Sequence, residues 1–119
     1  MVRGSSLTAG DSTSGIVRSN AFELGSVLMA RSRVAAGVDS GWHHHGRRTL
    51  YGFLVSDRLR LETGPSAEDS VELNPGDSFR IPFGLVHRDV NPDRAEALVV
   101  VNVLVGDGVP LVNVEGPQV

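Results

Sequence analysis

The chain has 119 residues, of which 40% are apolar and 21% are charged, a balance typical of a globular domain with one hydrophobic core. Its net charge of −3 gives no general attraction to nucleic acid or to anionic membranes, so we expect neither as a partner. Cysteine is absent, which excludes a disulfide framework and catalysis by a protein thiol.

The first 15 residues, MVRGSSLTAGDSTSG, are rich in Ser, Thr and Gly and have no apolar segment like that of a secretory signal. They predict a flexible arm over residues 1–19, or an arm that becomes ordered only against a partner. Because no apolar run in the sequence approaches the roughly 18 residues of a membrane span, the expected compartment is the cytoplasm.

From about residue 20 the sequence alternates between short β-type runs and turns rich in Gly, Pro, Asn and Asp. This spacing predicts an all-β sandwich or barrel in a single domain, residues 20–115, without a helix of ten or more residues. The segment ALVVVNVLV, residues 97–105, is apolar on both faces and therefore predicts a central strand. The predicted strands are residues 22–34, 42–45, 49–55, 57–63, 70–73, 78–81, 86–90, 96–105 and 110–114.

Three consecutive histidines stand in the segment GWHHHGRR, residues 41–48. Alternate residues of a strand point the same way, with Cα atoms roughly 6.5–7 Å apart, so His43 and His45 can reach one ion while His44 faces away. His87, in the later segment GDSFRIPFGLVH, is a third candidate ligand. Neutral imidazoles on a β-scaffold bind Fe(II), Zn, Ni, Cu or Mn, so a divalent transition metal is the predicted cofactor.

The spacing of these residues resembles the two sequence motifs of the cupin superfamily. In the first motif a Gly is followed after five residues by His-x-His, as Gly37 is followed by His43 and His45. The second motif matches at every position, with Gly76, Pro82, Gly84, His87 and Asn91. The resemblance covers residues 37–91. It implies a double-stranded β-helix, or jelly-roll barrel, open at one end, with His43, His45 and His87 as the metal ligands.

The first motif departs from the family at its usual ligand Glu, whose position holds Thr49 or, under a longer spacing, Leu50. A threonine hydroxyl is a poor ligand for a divalent cation, so we expect three imidazoles with the remaining positions open to water or substrate. Three neutral ligands leave the charge of the ion uncompensated, which acidifies bound water or attracts an anionic substrate. The alternative is that the loss of the Glu abolishes metal binding.

Face alternation predicts the neighbours of the histidines. If Thr49 takes the place of the Glu, Tyr51 and Phe53 follow it into the barrel. Tyr51 is then either a catalytic acid or hydrogen-bond donor, or a core aromatic with its hydroxyl at the rim. Phe79 and Ile81 are predicted to point inward because they are the apolar positions of their run, which turns the arginine between them outward.

Other polar residues allow two interpretations each. Asn102 interrupts an apolar strand and either lines the cavity, as a second candidate catalytic residue, or forms hydrogen bonds at a strand end. Asp89 shares a face with His87 and could orient a ligand histidine from behind. Arg31 and Arg33 share a face of an early strand, either to receive an anionic substrate or as part of a solvated face.

Cupins with three-histidine sites include thiol and diketone dioxygenases, polyketide cyclases and hydroxynitrile lyases. The resemblance therefore implies a metal-dependent enzyme that acts on a small organic molecule, with dioxygenase, cyclase, isomerase or lyase chemistry. The alternative is a non-catalytic ligand-binding or accessory cupin, because one fold supports many functions. Small cupins commonly dimerise through sheet edges and swapped terminal strands, so the long arm and the apolar tail VPLVNV predict a homodimer.

Overall fold

The computed structural model describes residues 1–64 and 67–117. Within these ranges the secondary structure consists of a 3-10 turn, Gly4–Ser6, and eleven strands, which confirms the all-β prediction. The strands are β1 (Thr8–Ala9), β2 (Ile16–Leu24), β3 (Val27–Val34), β4 (His43–His44), β5 (Thr49–Ser56), β6 (Leu59–Thr63), β7 (Asp69–Leu73), β8 (Ser78–Ile81), β9 (His87–Val90), β10 (Leu98–Val105) and β11 (Val112–Asn113).

The strands form two antiparallel sheets whose inner faces enclose the core. In the described part of the chain, one sheet has the order β1-β2-β3-β10-β5-β8 and the other the order β11-β4-β9-β6-β7. As predicted from its apolar sequence, β10 is a central strand, between β3 and β5. Fully buried leucines of both sheets, such as Leu54 and Leu59, meet in one apolar cluster.

A layer of polar side chains crosses the barrel between two apolar clusters. Along β10, the inward-facing residues run from Leu98 and Val100 in one cluster, through buried Asn102, to Leu104 in the other. On β3 the buried Ser32 lies in the same layer, since Asn102 Nδ2 donates a hydrogen bond of 3.0 Å to its hydroxyl. Polar groups in a barrel interior need hydrogen-bond partners or a ligand to offset their lost hydration. This polar layer is therefore a candidate ligand-binding site.

The N-terminal part of the barrel begins earlier than the sequence predicts. The predicted strand 22–34 is a hairpin of two strands, β2 and β3, and β2 begins at Ile16, which is 3% exposed and belongs to the core. The arm before it packs on its own chain, because β1 pairs with β2 and Thr13 is buried. The sequence conceals this strand because VRSN, residues 17–20, reads as a continuation of the polar arm.

The predicted orientation of β5 is wrong. Tyr51 and Phe53 are 49% and 45% exposed on the outer face, whereas Leu50, Gly52 and Leu54 face the interior. The inward position of Gly52 lies directly under the ring of Phe79, where any larger residue would collide with that ring. The inward direction of the apolar residues of β8 and the outward direction of the arginine between them are as predicted. No helix within residues 1–64 and 67–117 is long and apolar enough to cross a membrane.

Candidate metal centre

Three histidines converge inside the barrel at the level of the polar layer. His43 lies on β4, His45 directly follows that strand, and His87 opens the neighbouring β9, where it is paired with His43. All three are at most 3% exposed. Each offers one ring nitrogen, and these three nitrogens lie within 4.8 Å of one another. The convergence of these three side chains is as predicted from the motif spacing.

Backbone carbonyls hold each ring in one tautomer. The Nδ1 atom of His43 lies 3.0 Å from the carbonyl of Gly41, and that of His87 lies 2.9 Å from the carbonyl of Leu85. The Nδ1 of His45 lies 3.0 Å from the carbonyl of Pro110. A carbonyl oxygen can only accept, so each Nδ1 carries the proton and each Nε2 keeps its lone pair for a ligand. At metal sites, histidine ligands are oriented in the same way, by a hydrogen bond from the ring nitrogen that does not bind the metal.

The same burial keeps the rings neutral. Desolvation, followed by the neighbouring His87, lowers the pKa of His43 to about 2. For His45, desolvation is again the largest cause, followed by His87 and His43, and its pKa falls to about 3. Burial also lowers the pKa of His87. At neutral pH the three Nε2 atoms are therefore unprotonated, the state in which imidazole binds a metal.

The position of the family's ligand Glu is filled by Leu50, not Thr49. Leu50 is 4% exposed and lines the same cavity as the three histidines, while the side chain of Thr49 lies on the other face of β5. This wall of the cavity is thus apolar and offers no ligand atom. The structure therefore agrees with the longer of the two motif spacings, which places Leu50 at the ligand position.

Asp89 stands on the ligand side of the cluster. Its Oδ1 lies 3.9 Å from Nε2 of His43 and 3.9 Å from Nε2 of His87. The prediction that Asp89 orients a ligand histidine from behind is wrong, because all three Nδ1 atoms already bond to backbone carbonyls. Among the described residues, Asp89 Oδ1 and His45 Nε2 are buried without a hydrogen-bond partner.

Arg18 is a cavity residue that the sequence reasoning missed. It lies on β2 between buried Ile16 and Asn20, and its side chain lines the same cavity as the histidines and Asp89. Its Nη1 donates hydrogen bonds to Thr13 Oγ1 at 2.7 Å and to a backbone carbonyl of the arm at 3.3 Å. Desolvation lowers its pKa, an effect that Asp89 opposes. Alternation along VRSN would have indicated it, had a strand been predicted there.

The other candidate residues divide between the interior and the surface. Asn102 is 6% exposed and lines the cavity, while a catalytic role for it stays a prediction. Tyr51 is not brought to the histidines, because it lies on the outer face of β5. Arg31 and Arg33 are exposed on the outer face of β3, which fits the solvated interpretation. His44 is turned away from the cluster, and its Nδ1 accepts a hydrogen bond from the backbone N–H of Gly46.

Residues of the second motif form the turns that deliver His87. Gly76 and Gly84 have φ values of +93° and +72°, which residues with a side chain rarely adopt. Asn91, 1% exposed, holds the far end of β9, since its Nδ2 donates to the carbonyls of Val34 and Glu96 at 3.1 and 2.9 Å. These motif positions are therefore structural and not part of the site.

Three neighbouring cavities that share lining residues lie at and beside the histidines. The cavity around the cluster measures about 10 Å³, and the next, of about 20 Å³, shares His45 and Asn102 with it. An outer cavity of about 300 Å³ shares Asn20 and Pro110 with the second one. The inner space is of the size of one water molecule or ion, whereas the outer cavity reaches the lower range of small-molecule pockets.

Two antiparallel sheets that enclose a group of inward-facing histidines are the arrangement of a double-stranded β-helix of the cupin type. No protein-family model matches the sequence, and no curated protein matches it. Solved structures do match. An uncharacterised conserved protein with a double-stranded β-helix domain from Klebsiella pneumoniae subsp. pneumoniae has a TM-score of 0.74 at 19% identity, with 90% of each chain covered.

Enzymes are among the similar structures. The polyketide cyclase RemF from Streptomyces resistomycificus has a TM-score of 0.76 at 15% identity, covering 99% of this chain and 87% of the cyclase. An oxalate oxidase in complex with the substrate analogue glycolate has a TM-score of 0.70 at 22% identity, covering 90% of this chain and 60% of the oxidase. These likenesses confirm the predicted cupin fold. At such identities they establish the fold and not the activity.

Proposed function

We propose that this chain is a metal-dependent cupin enzyme that acts on a small organic molecule through a divalent transition metal held by His43, His45 and His87. One observation carries the proposal: three buried imidazoles have their Nδ1 protons bound to carbonyls and their Nε2 lone pairs turned to one point. A core position would be filled more favourably by apolar side chains, so three such rings indicate a ligand.

The donor set fits a metal of borderline softness, because neutral imidazoles suit Fe(II), Zn, Ni and Cu better than an oxygen-preferring Mg ion. When bound, such an ion supplies a Lewis acid or an oxygen-binding centre. Arg18 and Asn102 line the same cavity and offer N–H donors to an anionic or carbonyl oxygen of a substrate. The apolar side chains of Leu50, Phe79 and Ile81 exclude water from the other walls.

The likeness to a polyketide cyclase and to an oxalate oxidase supports an enzymatic role, because both are enzymes with the same fold. It supports two different chemistries, however. An Fe(II)-dependent reaction with O₂ and a Zn-dependent cyclisation, isomerisation or lyase reaction both need an open metal position beside a substrate.

Metal analysis of protein purified without a His-tag or a nickel column tests the proposal. We expect about one equivalent of a transition metal in the wild type, and a loss of that metal in a His43→Ala/His45→Ala variant. Oxygen uptake by the Fe(II)-loaded protein with a panel of small carboxylates and diketones then separates the oxygenase branch from the others. A double variant that keeps a stoichiometric metal would refute the ligand assignment.

A second candidate, a non-catalytic ligand-binding or accessory cupin, is favoured by the narrow interior. The cavity of about 10 Å³ at the histidines has no room for an organic molecule in this conformation. A substrate must therefore bind in the outer cavity or displace the arm and Pro110 that stand between it and the histidines. Metal-loaded protein that binds small acids but turns none of them over, with either Fe(II) or Zn, would support this candidate.

We also propose that the protein forms a homodimer through the outer face of the larger sheet. Tyr51 and Phe53 are about half exposed there, and their partners in register on β10 are Val103 and Val101. Arg31 and Arg80 flank this exposed apolar cluster in register, and an apolar centre with a charged rim is typical of an interface. A twofold axis pairs such a face with its own copy. The predicted exchange of terminal strands lacks support, because β1 and β11 pair with strands of their own chain.

A further inference from the structure

We propose that Asp89 is a fourth ligand of the metal, so that the anionic ligand of this centre comes from β9 and not from β5. The inference rests on the proposed metal-binding function and adds to it a residue outside the matched motif positions. Its basis is the position of one buried carboxylate oxygen opposite the imidazole nitrogens of His43 and His87.

The distances fit coordination better than hydrogen bonding. Asp89 Oδ1 lies 3.9 Å from both Nε2 atoms, and a hydrogen bond between such atoms requires about 3.2 Å or less. Two atoms that each lie about 2.1 Å from one ion are at most about 4.2 Å apart. The space between this oxygen and the two nitrogens therefore suits a shared cation.

Within the residues that the structure describes, no hydrogen bond accounts for the burial of this carboxylate oxygen, although the cation Arg18 lines the same cavity. Asp89 is 9% exposed, and its Oδ1 has no hydrogen-bond partner among residues 1–64 and 67–117. The histidines cannot donate to it, because their N–H groups bond to backbone carbonyls. A buried carboxylate oxygen without a partner is strongly unfavourable, and a cation between it and the imidazoles removes that cost.

The backbone presents this carboxylate rigidly. His87 and Asp89 are alternate residues of β9 and face the same side, and the N–H of Asp89 donates a 2.9 Å hydrogen bond to Ser40 Oγ. On the opposite wall, Leu50 fills the place where cupins usually carry the ligand Glu. The usual position on β5 thus has no carboxylate, whereas β9, the strand of His87, carries one that faces the same cavity.

The test uses the untagged full-length protein, stripped with a chelator and titrated with Co(II) and Zn(II) in competition with a chromophoric chelator. Asp89→Asn keeps the shape of the side chain but removes the anionic ligand. Glu62→Gln is the matched control, because Glu62 is a buried carboxylate on β6 that is held by Arg60 and Arg88 at 3.0 and 2.6 Å. His43→Ala reports separately on the three-histidine centre.

We expect Asp89→Asn to bind both metals at least about tenfold more weakly than the wild type and to change the visible spectrum of the Co(II) form. Glu62→Gln should bind as the wild type does, and His43→Ala should lose the metal. Wild-type affinity and an unchanged spectrum in Asp89→Asn, with loss of metal in His43→Ala, would overturn the role of Asp89 alone. A wild type that binds neither metal would overturn both proposals.

Thermal unfolding of the stripped proteins shows that Asp89→Asn is folded. The Zn(II) affinity of the folded variant then decides between ligation and the other role of Asp89, which is to offset the buried charge of Arg18. If that variant does not fold, a zinc-loaded crystal structure of the wild type gives the same answer from anomalous scattering. Asp89 Oδ1 within about 2.2 Å of the ion is expected, and a separation beyond about 3 Å would refute the proposal.

Discussion

His43 lies directly opposite His87 in the antiparallel pairing of β4 with β9, and their ring centroids are 4.3 Å apart. The two-residue strand β4 is also paired with β11 on its other side, so the sheet fixes it from both edges. Ligands on paired strands are held by backbone hydrogen bonds and not by loop conformation, which favours a preorganised metal centre.

This pairing predicts different outcomes for two adjacent alanine substitutions. His43→Ala removes a ring whose Nε2 faces the site, and we expect its affinity for Zn(II) to fall by a factor of about 100 or more. His44→Ala, the matched control, removes a side chain outside the cluster and should keep the wild-type affinity. Competition titration measures both. Equal losses in the two variants would show that the metal is held by the histidine run as such and not by the barrel interior.

The buried histidines predict acid sensitivity of the metal-free protein. Desolvation lowers the pKa of His43 to about 2 and that of His45 to about 3, whereas both titrate near 6.5 in an unfolded chain. Between these values the unfolded state binds more protons, so stability falls as the pH drops below about 6.5. At pH 5 each of these two histidines lowers the free energy of unfolding by about 2 kcal/mol.

Thermal unfolding of chelator-treated protein between pH 8 and pH 5 measures this effect. Asp89 and Arg18 are the charged groups that line the same cavity, and they are unchanged in the histidine variants. His45→Ala should lose less stability on acidification than the wild type, while His44→Ala should follow the wild type. A melting temperature that does not change over this pH range would contradict the neutral, buried state of the cluster.

The sequence was sufficient for most strands and for the three histidines, because turn residues and motif spacing are local properties. It could not orient β5, since TLYGFLV is apolar on both faces and alternation alone does not say which face is inside. That choice depends on the fit of Phe79 over Gly52, a contact between two strands. Such contacts are tertiary and leave no periodic signal.

Two cavity residues were missed or misinterpreted for related reasons. Arg18 was assigned to a flexible arm, because residues 18–20 of its strand are polar and its burial depends on pairing with β3. Asp89 was placed correctly on the face of His87, but its distance to the ring nitrogens depends on ring orientations that hydrogen bonds to backbone carbonyls hold. Hydrogen bonds to distant carbonyls, such as the one that His45 Nδ1 donates to the carbonyl of Pro110, have no signature in the sequence.

Removal of the charge of Arg18 should change metal binding and anion binding in opposite directions. Burial lowers the pKa of all three histidines, and the positive charge of Arg18 lowers it further, so this charge acts at the whole cluster. Arg18→Gln should therefore raise the affinity for Zn(II) several-fold and weaken the binding of azide to the Co(II) form. Arg18→Lys, the control, keeps the charge. A lower metal affinity in Arg18→Gln would indicate a structural role instead.

Asn91 predicts a loss of stability without a loss of metal. Its buried amide donates to the carbonyls of Val34 and Glu96, and its oxygen accepts a hydrogen bond of 3.0 Å from the N–H of Asp93. Asn91→Ala leaves these backbone groups without partners and should lower the free energy of unfolding by about 3 kcal/mol. Urea unfolding of the apoprotein measures this. The Zn(II) affinity of the folded variant should stay within a few-fold of the wild type, and a tenfold loss would assign Asn91 to the site.

A substitution on the outer face of the larger sheet should disrupt the proposed homodimer without changing the metal centre. Phe53 is 45% exposed on the side of β5 that faces away from the histidines. If two copies pair through this face, Phe53→Glu places two like charges in an apolar contact and should give a mass near one chain, 12.6 kDa, in sedimentation. Val71→Glu is the control, because Val71 is 62% exposed on the other sheet, so this variant should leave the dimer intact.

Both variants should bind Zn(II) as the wild type does, since neither residue lines the histidine cavity. A wild type that itself sediments at 12.6 kDa would contradict the dimer and leave the metal centre unaffected.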